Sequence, residues 1–133
     1  MKTATVAVLI SIACALILVG QQYPDLTAGM RGANRAWKAI EKLEPKTGKV
    51  AVDNAERLGG LYEEMIAFWR QRESAGGTRL SIEGKAAATR LASAARAGDT
   101  ARAEAAAREL GETCNACHKQ HRVKTAGGRF RLK

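Results

Sequence analysis

Apolar residues recur in alternating steps of four and three along four successive stretches of this 133-residue chain, and that rhythm limits it to packed helices. From about Asp25 to Leu43 the stripe is Leu26, Met30, Ala33, Trp37 and Ile40; Pro24 and Asp25 suit a helix start, and Glu44-Pro45 a stop. From about Lys49 to Arg72 it is Ala51, Ala55, Leu58, Tyr62, Met65 and Trp69, widened by Leu61, Ile66 and Phe68. Ser74-Ala75-Gly76-Gly77-Thr78 then reads as a loop, and Ser81 as the cap of a third helix through Ala97. Ile82, Ala86, Ala87, Ala88, Leu91, Ala92, Ala94 and Ala95 are its apolar residues. Gly98-Asp99-Thr100 gives a stop followed by a cap, and a fourth helix from about Thr100 to Arg122 carries Ala103, Ala107, Leu110, Cys114, Cys117 and His121 on its stripe. Short connections force antiparallel neighbours, so the expected fold is all-α, an antiparallel up-down-up-down four-helix bundle. The tail from Val123 to Lys133 reads as loosely ordered, and the sequence shows no strands, no internal repeat and no second domain.

The stretch Cys114-Asn115-Ala116-Cys117-His118 lies on the last of these stripes. Two thiols three residues apart sit on one side of a helical turn, where they can reach the two vinyl groups of a haem, and the next residue supplies an imidazole for the iron. The pattern reads as a haem c attachment site. Its competitors are half a zinc site and a redox dithiol. Zinc needs a second ligand pair, yet the only other cysteine is Cys14 in an apolar leader and the only other histidine is His121. Cys114, Cys117, His118 and His121 would make a crowded metal knuckle at best. Because the thiols continue the core stripe, the porphyrin is expected inside the bundle against the C-terminal helix. Composition agrees: the 46% hydrophobic share leans on alanine and only 5% is aromatic, so thin helices leave a core that a large apolar cofactor would complete.

Met1-Lys2 and the apolar run from Thr3 to Gly20 have the layout of an export signal, with cleavage after Gly20 or after Ala15. Residues 1–20 are thus expected to be a signal peptide and residues 21–133 the bundle domain; an uncleaved membrane anchor is the alternative, and acylation of Cys14 the weaker one. Export fits the motif, because haem c is joined to its apoprotein outside the bacterial cytoplasm, and it points to the periplasm. The formal charge is +9, and removal of Lys2 with the leader leaves 21 basic against 13 acidic side chains, or +8. Such a chain attracts acidic partners or anionic surfaces. Nucleic acid does not fit the compartment, and the charges are spread as on solvated helix faces. Nothing beyond the iron site gathers an acid, a base and a nucleophile, so no enzyme is indicated.

A haem motif at the end of the last helix of an exported four-helix bundle resembles the class II c-type cytochromes, the cytochrome c-prime family. The specific part of the resemblance is Cys114 to Arg122, with Arg122 at the family's basic position and His121 where it usually has tyrosine or phenylalanine. The helix after Lys49, with Ala55-Glu56-Arg57-Leu58 and Phe68-Trp69, is also similar. The resemblance implies one covalent haem c, with thioethers at Cys114 and Cys117, iron held by His118, and Arg122 facing a propionate or stacking near the imidazole. It also implies a first-helix residue over the opposite haem face. Met30 there gives a low-spin electron carrier; Leu26 instead leaves a five-coordinate iron that binds nitric oxide or carbon monoxide. Redox proteins are the implied partners, and a homodimer through the first two helices is a family habit that the glycines Gly29, Gly32, Gly59 and Gly60 would permit. A haem-free metal-binding or structural helical protein is the reading from another class.

Overall fold

The computed structural model describes residues 26–133; the leader, its cleavage sites and Cys14 lie outside the described residues. Helix α1 spans Leu26–Glu41, α2 Lys49–Gln71, α3 Ala75–Ala97 and α4 Thr100–His121. Each packs antiparallel on its chain neighbour, α1 on α2, α2 on α3 and α3 on α4. The ring closes where Trp37 of α1 meets Gly111 of α4, whose Cβ position lies 3.1 Å from the indole. The chain is a four-helix bundle.

The stripes define its axis. All six stripe residues of α2 are buried, as are Ala103, Ala107 and Leu110 of α4 and Ile40 of α1. Burial then fades toward one end: Leu26, Met30, Ala33 and Trp37 of α1 and Cys114 of α4 are only partly covered, although each packs against the core. The opposite end is shut by alanines, with Ala51, Val52 and Ala95 in contact under Leu43, and Gly48 N–H donating to the Ala95 carbonyl at 3.1 Å. Small side chains let the helices approach there, so the bundle is tight at one end and open at the other. Glu63 with Lys85, Glu56 with Arg96 and Arg90 with Glu109 pair across neighbouring helices on the exposed surface. Such pairs contribute little stability.

Helix α3 begins earlier than the sequence suggests. Ser74, not Ser81, is its cap, accepting from the Gly77 N–H at 3.2 Å, and the expected loop 74–78 is its first turn. Ser81 is buried inside the helix and donates from Oγ to the Gly77 carbonyl at 2.8 Å. The reason is packing. A Cβ at Gly77 would run into the Trp69 indole and one at Gly84 into the Tyr62 ring, so these glycines seat two aromatic rings of α2. The buried face of α3 therefore runs through Gly77, Leu80, Ser81, Gly84, Ala87, Ala88 and Leu91, and Ile82, expected inside, is 46% exposed.

The tail also departs from expectation. Strands β1, Arg122–Lys124, and β2, Phe130–Leu132, form an antiparallel hairpin with Arg122 opposite Leu132, Val123 opposite Arg131 and Lys124 opposite Phe130. Val123, Phe130 and Leu132 alternate with cations at the period of a strand, and Leu132 anchors the hairpin against the core. The Lys133 N–H closes it onto α4 by donating to the His121 carbonyl at 3.0 Å.

Candidate functional site

The open end of the bundle gathers the start of α1, the end of α2, the start of α3 and the end of α4. Gly98 in the left-handed region ends α3, and the Asp99 side chain caps α4 by accepting from the Arg102 N–H. From that fixed start Cys114, Cys117, His118 and His121 fall on neighbouring positions of one face of α4, and all four are half-buried.

Cys114 packs against the core, and its Sγ lies 3.1 Å from the Tyr62 hydroxyl, either of which can donate. Burial raises the Cys114 thiol above its ordinary range, and the Tyr62 contact opposes this only in part. Burial, with Cys114 beside it, raises Cys117 as well. Tyr62 is driven up by its own burial and then by Cys114. At neutral pH all three groups are protonated and uncharged, which suits an apolar crevice. Among the described residues no three of His, Cys, Asp and Glu converge to hold a metal ion, so the crowded knuckle does not form.

Burial and then the Arg122 cation lower the protonation of His118, leaving the neutral imidazole that ligates iron. Arg122 closes the last turn, its N–H donating to the His118 carbonyl, but its own backbone is extended and opens β1. Its guanidinium lies 3.9 Å over the Phe130 ring. His121 stacks on Trp69 with ring centroids 4.4 Å apart, so it does the work of an aromatic side chain. Its Nε2 is buried without a hydrogen-bond partner among the described residues. Met30 and Leu26 are both half-buried on the core-facing side of α1. Gly29 and Gly32, expected on the surface, instead face Leu61 of α2, while Cβ positions at Gly59 and Gly60 meet nothing.

These features fit a haem. Two protonated thiols and a neutral imidazole share one face, a partly covered apolar set lies across from them, and the buried Trp69 Nε1 has no acceptor among the described residues. A porphyrin brings vinyl carbons for the thiols, apolar area for the open end and carboxylates for unpaired donors. Sequence reasoning placed Tyr62 and Trp69 in the core but missed their part here. The signal was available: they sit seven residues apart on α2, opposite two glycines seven apart on α3.

Burial of His121, then the Lys133 charge, holds its protonation below the ordinary value of 6.5. The unfolded chain therefore takes up that proton first, so the native state loses stability as pH falls below about 6.5. In chemical denaturation of the holoprotein the His121→Phe variant is expected to lose less stability over that window than the unaltered chain. Equal pH profiles would show that His121 is not sequestered.

The family model for cytochrome C' matches residues 32–122, which contains both cysteines, His118 and Arg122 and begins just after Met30. Neither a curated protein nor a solved structure matches the chain. Among the described residues no helix is long and apolar enough to cross a membrane. With the matched span covering most of the chain and the four helices arranged as described, the protein belongs to the cytochrome c-prime family of electron-transfer and gas-binding proteins, and its cofactor is a covalently attached haem c.

Proposed function

We propose that the protein is a periplasmic one-electron carrier. The observation that carries this reading is Met30, whose thioether side chain lies half-buried on the same core as Cys114 and would supply the iron with a sulfur ligand in addition to the His118 imidazole. Bound haem c supplies a reversible one-electron iron couple.

The chain's own groups have separate tasks. Cys114 and Cys117 fix the porphyrin by thioether bonds, so the cofactor stays through either oxidation state. His118 would hold the iron, its burial and then the neighbouring Arg122 charge favouring the neutral ring. Arg122, seated over Phe130, is the cation available to a propionate. Trp37, Leu26 and Ala33 keep water from the crevice on the α1 side. The apolar leader, with its basic start and small-residue end, supports export.

The test is the ferric spectrum of holoprotein made with the haem-attachment machinery. A sulfur-to-iron charge-transfer band is expected and should be lost completely in Met30→Ala. A high-spin spectrum in the unaltered protein would overturn the carrier and leave the five-coordinate gas-binding form, with Leu26 over the vacant side.

A further inference from the structure

The charge of this protein is not evenly distributed. After Glu112 the chain has no Asp or Glu, yet it carries Lys119, Arg122, Lys124, Arg129, Arg131 and Lys133. The preceding described residues, 26–112, hold 15 basic against 12 acidic side chains, so the last stretch supplies six of the formal nine charges. All six cations are exposed, and among the described residues none forms an ion pair with a carboxylate, whereas eight such pairs occur between Lys38 and Glu109.

The hairpin holds these charges in a set place. β2 is tied back to the attachment helix by the Lys133 N–H on the His121 carbonyl and by Lys133 Nζ on the Lys119 carbonyl, both at 3.0 Å. Leu132 inserts toward the core that Cys114 and Met30 also touch. The basic surface thus begins within one turn of His118. Electron transfer requires a short path, so a surface that steers encounters is useful only near the haem, and this one adjoins the attachment motif. Two copies of the chain would repel each other here, which removes self-association as the occupant.

We propose that the Arg122–Lys133 hairpin, with Lys119, is the docking surface for the acidic face of a partner redox protein. This rests on the electron-carrier reading. Opposite charge concentrates the partner at the hairpin, speeding association, and the effect falls as salt screens it. Arg122 is assigned to a propionate, so Lys124, Arg129 and Arg131 are the charges to change.

The experiment follows by stopped flow the one-electron oxidation of the reduced holoprotein by an acidic copper(II) plastocyanin, with flash-generated neutral flavin semiquinone as a small one-electron donor to the oxidised holoprotein in parallel. The bimolecular rate with plastocyanin is expected to fall roughly tenfold between low and high salt. At low salt a Lys124→Glu, Arg129→Glu, Arg131→Glu variant should be slower by about tenfold and show a much flatter salt dependence. Its rate of reduction by flavin semiquinone, haem spectrum and circular dichroism should be unchanged. A control with the same change of net charge elsewhere, Arg35→Glu, Lys42→Glu and Arg57→Glu, should retain most of the unaltered rate.

Equal slowing in the control would overturn the hairpin as the locus, and so would an unaltered rate in the hairpin variant. Binding to vesicles of anionic and zwitterionic phospholipid, lost in the hairpin variant while plastocyanin kinetics stay the same, would overturn it in favour of a membrane surface. Failure of the flavin semiquinone to reduce the unaltered holoprotein, or of the reduced holoprotein to pass its electron on to plastocyanin at any salt, would refute the electron-carrier reading itself, whatever the hairpin does.

Discussion

A Cys114→Ala, Cys117→Ala variant, produced beside the haem-attachment machinery, is expected to emerge at the mass of the polypeptide alone and without the haemochrome spectrum of haem c. The loss should be complete, because the only other cysteine in the sequence, Cys14, is a hundred positions away from the motif and has no histidine directly after it. Either single variant should keep one thioether and a haem adduct in its mass. The consequence extends to stability. Leu26, Met30 and Trp37 are only partly covered among the described residues, so a porphyrin at this end would add to their burial. Completing the burial of three such side chains contributes roughly 3–5 kcal/mol in total. The double variant should therefore melt well below the holoprotein, with its helical signal retained because the alanine-packed end does not depend on the cofactor. A haem-containing mass in the double variant would refute attachment at these residues.

That division between ends also explains what could be read from the sequence. The stripes of α2 and α4 were legible because each is a long helix with one apolar face, and period alone places Ala51 to Trp69 and Ala103 to Leu110 inside. The attachment motif was legible for the same reason, since its residues extend the α4 stripe. The start of α3 was not. Gly76-Gly77 has the composition of a loop, and only the Trp69 ring, arriving from another helix, turns Gly77 into a packing position. Ile82 was misplaced by the same route: hydrophobicity favoured it, but the face that meets α2 had to be made of glycine, serine and alanine. The hairpin was hidden by its cations. The alternation of Val123, Lys124, Phe130, Arg131 and Leu132 is that of a strand pair, yet its stability comes from Leu132 on the core and Lys133 on His121, contacts that no local pattern contains. Arg122 followed from the same boundary, since one residue of helix fewer sends its side chain to Phe130.

Gly84→Val should be among the most damaging single changes in the bundle, although glycine inside a helix is ordinarily a weakness. At Gly60, where a Cβ meets nothing, alanine is expected to stabilise by about 0.5–1 kcal/mol through helix propensity and reduced freedom of the unfolded chain. At Gly84 the same first carbon overlaps the Tyr62 ring. That ring cannot swing aside cheaply, because it is 4% exposed and its hydroxyl rests on Cys114. Separating α2 from α3 instead would open the core through Leu58, Leu91 and Leu110. Valine at this position is expected to cost about 3 kcal/mol or more, an overpacking penalty at the upper end of the usual range. For a chain of this size that is a fall in melting temperature of roughly 10–15 °C. The cause is tested by a double-mutant cycle with Tyr62→Leu, which removes the ring: Gly84→Ala should cost less in that background than in the unaltered one, by about 1 kcal/mol or more. Additive penalties, or a Gly84→Val protein as stable as the parent, would show that α2 and α3 are not held apart by this ring and that the tight seam beside Cys114 is wrongly placed.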